Sequence, residues 1–400
     1  MIDISKNRIL KYILFFNLYA SEGLIFALST TITVLYFNQL NIPISTTTLV
    51  AGIINIPWIL KFIPGPIIDY FITHGRKPFI IFGGLTGALC LFPLTLLDPT
   101  TAIIPFTLLF FISHLGVVFL DVSADAWAVQ ISEYNERGKI NASMTAGLFS
   151  LWALGSIFLA YIGQYFEYTL TFIIVGIFIL LTIVLPLLVK EIKITKKHQN
   201  IKSILKKEFS KKNTLLITAL EFVAPMNFGI LLLIIPAYMT DFLHLNDFQT
   251  GIMSAINPIS IVIGSLIGGI LSDKYGRKPI IFICFTGTII FSILLVFADT
   301  WQILAILYAI IGLLQGSALY AALAALVMDI VNPKIGATQL SILMSVHNFG
   351  DIGISMISGA IVMMLGYDRF FLYAALVVGP ALLILYFIKE IKDKKNINNF

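Results

Sequence analysis

Seven ionisable side chains fall inside long apolar runs: Glu22, Lys61, Asp121, Asp125, Glu221, Asp329 and Asp351. A charge at membrane depth costs at least about 3 kcal/mol, so each is a candidate for chemistry. Asp121 and Asp125 are four positions apart and share one face of a helix. Two carboxylates that close repel, and such a pair can load and release a proton. At 1.5 Å per residue, Lys61 lies about 12 Å from Asp69, and Asp121 and Asp125 lie about 15 and 9 Å from Ile131. These depths are comparable, so an ion pair between the two helices is expected. Its plainer role is to lock helices together. Glu22 falls near the middle of its run and Glu221 nearer one end. Asp329 suits an interfacial position equally well. His347 and Asp351 are again four apart, able to share a proton or to form a buried structural pair.

Other chemistries lack their residues. No H-E-x-x-H, G-x-S-x-G or Walker A pattern occurs, and no His/Cys cluster, so neither a metal, a cofactor nor ATP is indicated. Cys90 and Cys284 sit singly in apolar runs and imply no disulfide framework.

The elements that must position these residues are membrane helices. Hydrophobic residues make up 58% of the 400 and charged residues 12%. Soluble domains carry about 45–50% and about 25%. Lipid must cover the excess, and then the backbone must satisfy its own hydrogen bonds in helices or a closed barrel. Runs such as Phe79–Leu97 and Ile280–Ala298 are continuous, whereas barrel strands alternate over about 10 residues. The fold class read from the sequence is all-α integral membrane with twelve transmembrane helices. They are expected near 10–37, 47–71, 78–97, 102–131, 141–163 and 169–189, then 213–240, 247–272, 279–298, 301–331, 338–364 and 368–388. The first run, extending to about Phe37, is too long for a signal h-region.

Features recur about 200 positions apart. Glu22 corresponds to Glu221, Asn55-Ile56-Pro57 to Asn257-Pro258, Gly75-Arg76-Lys77-Pro78 to Gly276-Arg277-Lys278-Pro279, and Asp125 to Asp329. The expected organisation is two six-helix halves, 1–189 and 213–388, with a basic linker at 190–212 and a tail at 389–400. Of the 26 Lys and Arg, 24 fall at the N-terminus, in the even-numbered loops or in the tail; Arg369 lies opposite and Lys61 lies within a helix. The positive-inside rule then places both termini and the linker in the cytoplasm. The formal charge of +5 is explained by these flanks and does not indicate nucleic acid. The linker's nine lysines suit a solvated hinge or contact with anionic lipid. Tyr36, Tyr161, Tyr165 and Tyr238 fall near outer helix ends, where an interface belt is expected. Gly147, Gly155 and Gly163, eight apart, suit close helix packing.

The most specific motif is Gly269-Ile-Leu-Ser-Asp273-Lys274-Tyr-Gly276-Arg277-Lys278-Pro279. It resembles the signature G-x-x-x-D-[RK]-x-G-[RK]-[RK] of the major facilitator superfamily, a resemblance that extends over the whole chain. The aspartate can cap a neighbouring helix N-terminus, the glycine permits a tight turn, and the basic pair can bind acidic helix ends; together they would latch a cytoplasmic gate. The alternative is a plain positive-inside turn. The first copy, Gly65-Pro-Ile-Ile-Asp69 to Gly75-Arg76-Lys77, departs from the pattern: three extra residues separate Asp69 from Gly75, and Tyr70 stands at the basic position.

Pro57-Trp58-Ile-Leu60-Lys61-Phe62 with Gly65-Pro66-Ile-Ile-Asp69 is similar to helix 2 of muropeptide permeases and acetyl-CoA transporters. Asp121-Val-Ser-Ala-Asp125-Ala126-Trp127-Ala128-Val129 is similar to their helix 4, and Ala337-Thr338-Gln339 echoes the permeases. Folate–biopterin transporters share part of both segments. Drug–proton antiporters are less similar, since the fourth helix has aspartates in place of arginine and the fifth lacks proline. The resemblance implies a monomeric plasma-membrane carrier that moves a small solute by alternating access, coupled to protons, rather than an enzyme. A transporter-like sensor without flux, or a membrane-embedded enzyme, are the competing classes.

Overall fold

The computed structural model describes residues 7–131, 137–191, 201–332 and 335–389. Among these, eleven helical stretches are long and apolar enough to cross a bilayer. The first six are α1 (Arg8–Gln39), α2 (Ile44–Phe62), α3 (Lys77–Leu96), α4 (Ile103–Ile131), α5 (Lys139–Tyr165) and α6 (Tyr168–Leu188). The next four are α7 (Lys212–Asp241), α8 (Asp247–Tyr275), α9 (Arg277–Phe297) and α10 (Trp301–Ile330). The last, Thr338–Phe387, has 50 residues. A straight helix of that length would run about 75 Å, more than twice a bilayer core. Gly366, at φ 73° and ψ 168°, breaks it into α11 (338–365) and α12 (367–387). The fold is therefore the twelve-helix, two-half arrangement, with lipid-facing apolar side chains such as Leu266, Ile270, Met364 and Leu376 exposed around it. Residues 192–200 of the expected linker and 390–400 of the tail lie outside the described residues, as does the side chain of Asp69.

In three of the helices, irregularities fall where polar residues must be presented. In α1 the turn Leu28–Ile32 is a π-helix, whose wider pitch strands a carbonyl; the Thr33 hydroxyl donates to Leu28 O at 2.8 Å. In α10 the stretch Gly316–Leu323 is likewise π, and the Ser317 hydroxyl donates to Gly264 O of α8 at 2.7 Å. In α2, Pro57 lies inside the helix, which tightens to a 3-10 turn at Leu60–Phe62 before a short helix restarts at Pro64–Tyr70. A proline removes one ladder donor and clashes with the preceding turn. The result turns Lys61 inward, buried at 9% exposure.

Small residues set the closest packing. A Cβ on Gly147 of α5 would lie 2.3 Å from the Phe16 carbonyl oxygen of α1, and one on Gly155 would lie 2.7 Å from Leu24. Backbones this near allow many van der Waals contacts where lipid supplies no hydrophobic drive. Of the four tyrosines expected at an interface belt, Tyr161 and Tyr165 are exposed. Tyr238 is not: it is buried, and its hydroxyl donates to Ala298 O at 3.1 Å. Tyr36 stacks on Tyr168 with centroids 5.2 Å apart.

The two basic loop motifs fold alike despite their different lengths. Gly75 and Gly276 take φ of 90° and 94°, a conformation that favours glycine. A 3-10 turn at Ile72–His74 takes up the extra residues of the first copy. Lys77 donates to Val189 O and Lys278 to Ile388 O, each at 2.5 Å. Arg76 Nε reaches Gln130 Oε1 at 3.3 Å, and Arg277 Nη1 pairs with Asp329 Oδ2 at 2.5 Å. This corrects one expected correspondence. Asp329 occupies the place of Gln130, 199 positions earlier, and not that of Asp125. The expected cap on the following helix is present in the first half from another residue: Glu191 accepts from Arg76 N at 2.5 Å and Lys77 N at 3.1 Å, at the N-terminus of α3. Asp273 is exposed at the end of α8, with no hydrogen bond or ion pair to a described residue.

Candidate functional site

The inward-facing carboxylates separate into two groups, one in each half. In the first, Lys61 Nζ of α2 pairs with Asp121 Oδ2 of α4 at 2.6 Å. Its ammonium also lies 4.9 Å from the centre of the Trp58 ring. Asp125, one turn along α4, accepts from the Tyr19 hydroxyl of α1. Glu22, one turn from Tyr19, lies close enough to Asp121, Lys61 and Asp125 for their charges to act on it. Glu22 is 5% exposed, and its Oε2 has no hydrogen-bond partner. The expected ion pair between α2 and α4 therefore forms, with Asp121 rather than Asp125, and both acids are brought together with Glu22.

In the second half, His347 Nδ1 of α11 meets Glu221 Oε2 of α7 at 2.7 Å. Asp351 follows one turn later and presses on α7, where a Cβ on Gly229 would lie 2.1 Å from its Oδ1. That oxygen also lacks a hydrogen-bond partner. Asp329 does not join either group; it belongs to the loop-motif end with Arg277.

Between the groups lies a continuous set of aromatic rings. Trp58 of α2, Phe26 of α1 and Trp152 and Phe149 of α5 stack in that order, at centroid separations of 4.9, 5.3 and 6.0 Å. Tyr320 of α10 meets Phe149 edge-on at 5.2 Å, and Phe228 of α7 meets Trp152 at 6.2 Å. Tyr320 stands on the π stretch of α10, within reach of the charges of both Asp351 and Glu22. Two of these participants had a signal in the sequence. Tyr19 precedes Glu22 by three, and Tyr320 follows Asp121 by 199, the repeat interval. Others had none. Trp58 Nε1 donates to His114 Nδ1 at 3.0 Å. Gln315 donates to Asn227 at 3.0 Å, and Asn227 to Ser292 at 3.1 Å. Single polar residues on separate helices carry no spacing to read. No group of three metal-ligating side chains occurs among the described residues.

The halves touch unevenly. Among the described residues, the hydrogen bonds that cross between them run from mid-depth to the end away from the loop motifs. Asn348 donates to Trp58 O at 2.9 Å and Gly359 N to Thr48 at 3.1 Å. At the far end, Asn38 donates to Asp241 at 2.6 Å, Tyr168 to Asp247 at 2.5 Å and Phe248 N to Gln164 at 2.7 Å. Tyr367 adds a second donor to Asp241 at 3.0 Å. At the motif end, Glu208 of the linker accepts from Lys211 and from Asn332 of the second half. Those two donors hold the Glu208 carboxyl below its ordinary range.

Comparison with known proteins follows the same outline. The sequence profile of the Major Facilitator Superfamily matches residues 12–223 and again 217–400. AmpG 4 of Rickettsia felis is 25% identical over 426 aligned positions, covering 97% of this chain and 98% of that protein. The nucleoside transporter NupG superposes with a TM-score of 0.75 at 17% identity, over 96% of this chain and 99% of its own. The xylose transporter XylE of E. coli, in a partially occluded inward-open conformation, gives 0.75 at 12% identity, over 96% and 99%. At these identities the two structures speak for the fold.

Proposed function

The chain belongs to the major facilitator superfamily, and from that premise we propose that it is a secondary transporter moving a small solute by alternating access, driven by protons. It resides in the plasma membrane as a monomer with both termini in the cytoplasm, the side its basic loops select. The hydrogen bonds between the halves at the opposite end support a cytoplasm-facing state.

The observation that carries the proposal is the buried constellation of Glu22, Lys61, Asp121, Asp125 and Tyr19 at membrane depth. Lys61 and Asp121 neutralise each other. Asp125 is left with a hydroxyl donor and no ion-pair partner, so its charge depends on how wet the site is. Coupling requires that protonation differ in free energy between the two facing states. Rocking of the halves hydrates or dries this cluster, and Asp125 is the carboxylate that exchanges the proton. The neutral Tyr19 hydroxyl can donate to the ionised form or accept from the protonated one. Asp273, Lys274, Gly276, Arg277 and Lys278, with their first-half counterparts Gly75, Arg76 and Lys77, serve as the gate latch of the opposite facing state.

The test is uptake into proteoliposomes from a broad metabolite pool, with and without a proton gradient. Asp125→Asn is expected to abolish gradient-driven accumulation while substrate exchange persists. Asp121→Asn retains more accumulation than Asp125→Asn. Accumulation by Asp125→Asn with unchanged pH dependence makes Asp125 structural. Binding without any exchange, in the native protein, identifies a sensor instead.

A further inference from the structure

The charges of the core do not balance. Lys61 answers Asp121, His347 answers Glu221, and Tyr19 donates to Asp125. Among the described residues, Asp125 has no cation of its own. Glu22 hydrogen-bonds Asp121 and Asp351 lies near His347, and these two each keep one carboxyl oxygen with no hydrogen-bond partner. They stand on opposite halves, in α1 and α11, and both act on Tyr320 between them. A buried carboxylate without a counter-charge is strongly unfavourable, so this place selects for positive charge.

The surrounding surface selects for the same sign. Glu22 and Phe26 are four apart on one face of α1, so the Glu22 carboxyl lies one turn from the ring sandwiched between Trp58 and Trp152. The ring stack of the first half meets the edges of Tyr320 and Phe228 from the second, so aromatic surface bridges the two halves. Aromatic faces carry negative potential and attract cations. This box already holds one cation in that way, the Lys61 ammonium over Trp58. An anion entering here would meet two carboxylates and several ring faces, with Lys61 already engaged.

Resting on the transport reading above, we propose that the substrate is an organic cation: an amine or quaternary ammonium centre on an apolar or aromatic frame, held between Glu22 and Asp351 inside the ring box. The frame displaces Phe26 from its sandwich, and the charge replaces the missing partner of both acids. Because one acid comes from each half, the ligand draws the halves together, which is what a substrate must do to promote rocking.

The experiment is direct binding to the full-length protein in lipid nanodiscs, without a gradient, read by tryptophan fluorescence from Trp58 and Trp152. Three probes share a phenyl ring and differ in charge: benzyltrimethylammonium, benzyl alcohol and benzenesulfonate. The cation is expected to quench saturably and the other two to bind at least about tenfold more weakly. Glu22→Gln and Asp351→Asn, both isosteric, each weaken the cation by about tenfold. The proposal is overturned if benzenesulfonate or benzyl alcohol binds as well, if the cation shows no saturable binding, or if both variants bind it as the native protein does. Its failure separates from failure of the transport reading. Proton-driven uptake restricted to anionic or neutral solutes defeats the cation and leaves transport standing. Saturable cation binding without any uptake upholds the ligand class and defeats transport.

Discussion

Lys61→Met removes the positive member of the α2–α4 ion pair and leaves its volume nearly unchanged. At 2.6 Å, with an effective dielectric of about 20, the attraction between Lys61 and Asp121 is about 6 kcal/mol. Desolvation of both groups offsets much of this in the intact protein, so the pair itself adds little. Removing one partner is different. Asp121 is then a buried carboxylate beside Glu22 and Asp125, with no counter-ion, and cases of this kind cost about 3–5 kcal/mol. At about 2 °C per kcal/mol for a large chain, Lys61→Met is expected to lower Tm by roughly 6–10 °C. The chain carries its own reporter: Cys284 is buried and Cys90 half-buried, so a thiol-reactive dye in detergent fluoresces as the helices separate. The double variant Lys61→Met, Asp121→Asn removes the stranded charge and recovers most of the loss. An unchanged Tm in the single variant, or a double variant less stable than the single, refutes the ion-pair reasoning.

The gate motif gives a second test: Asp273→Asn weakens the outward-open state, so cysteines at the motif ends of α4 and α10 cross-link less; unchanged cross-linking with intact transport leaves the motif a simple basic turn. Orientation is tested at Ser203, exposed in the short helix Ile201–Phe209: in a cysteine-free background, Ser203→Cys resists an impermeant thiol reagent in intact cells, and ready labelling overturns the cytoplasmic placement. At the opposite end, Asp241→Ala removes the acceptor shared by Asn38 and Tyr367. It is expected to raise labelling of cysteines placed in the central cavity from outside, and unaltered labelling means that the contact does not hold that end closed.

Composition and periodicity were enough for the class of fold. A chain this apolar has to be solvated by lipid, lipid leaves the backbone only its own hydrogen bonds, and the runs then read as helices with boundaries within a few residues of those observed, except that the second, expected to 71, breaks at Phe62 and resumes as Pro64–Tyr70. The repeat was legible from spacing: Gly75 and Gly276, and Lys77 and Lys278, stand 201 positions apart, and the loops they form are alike. The intramembrane acids announced themselves by their cost alone. Which acid meets which base was not legible, because a helix face is known from spacing but its azimuth is set by neighbours. Lys61 was within reach of either aspartate in sequence terms, and the proline-broken end of α2 aimed it at Asp121. Asp329 had the depth of a pathway residue but turned to Arg277.

The aromatic box and the partners of the core acids belong to tertiary structure entirely. Phe26, Trp58, Trp152 and Tyr320 come from four helices, and the π stretch of α10, on which Tyr320 stands, has a phase that no 3.6-residue count contains. Sequence by itself determined that charge lies buried in this membrane bundle; only the packing of twelve helices decided which of those charges pair with one another, as Lys61 does with Asp121, and which stand without a cation beside them.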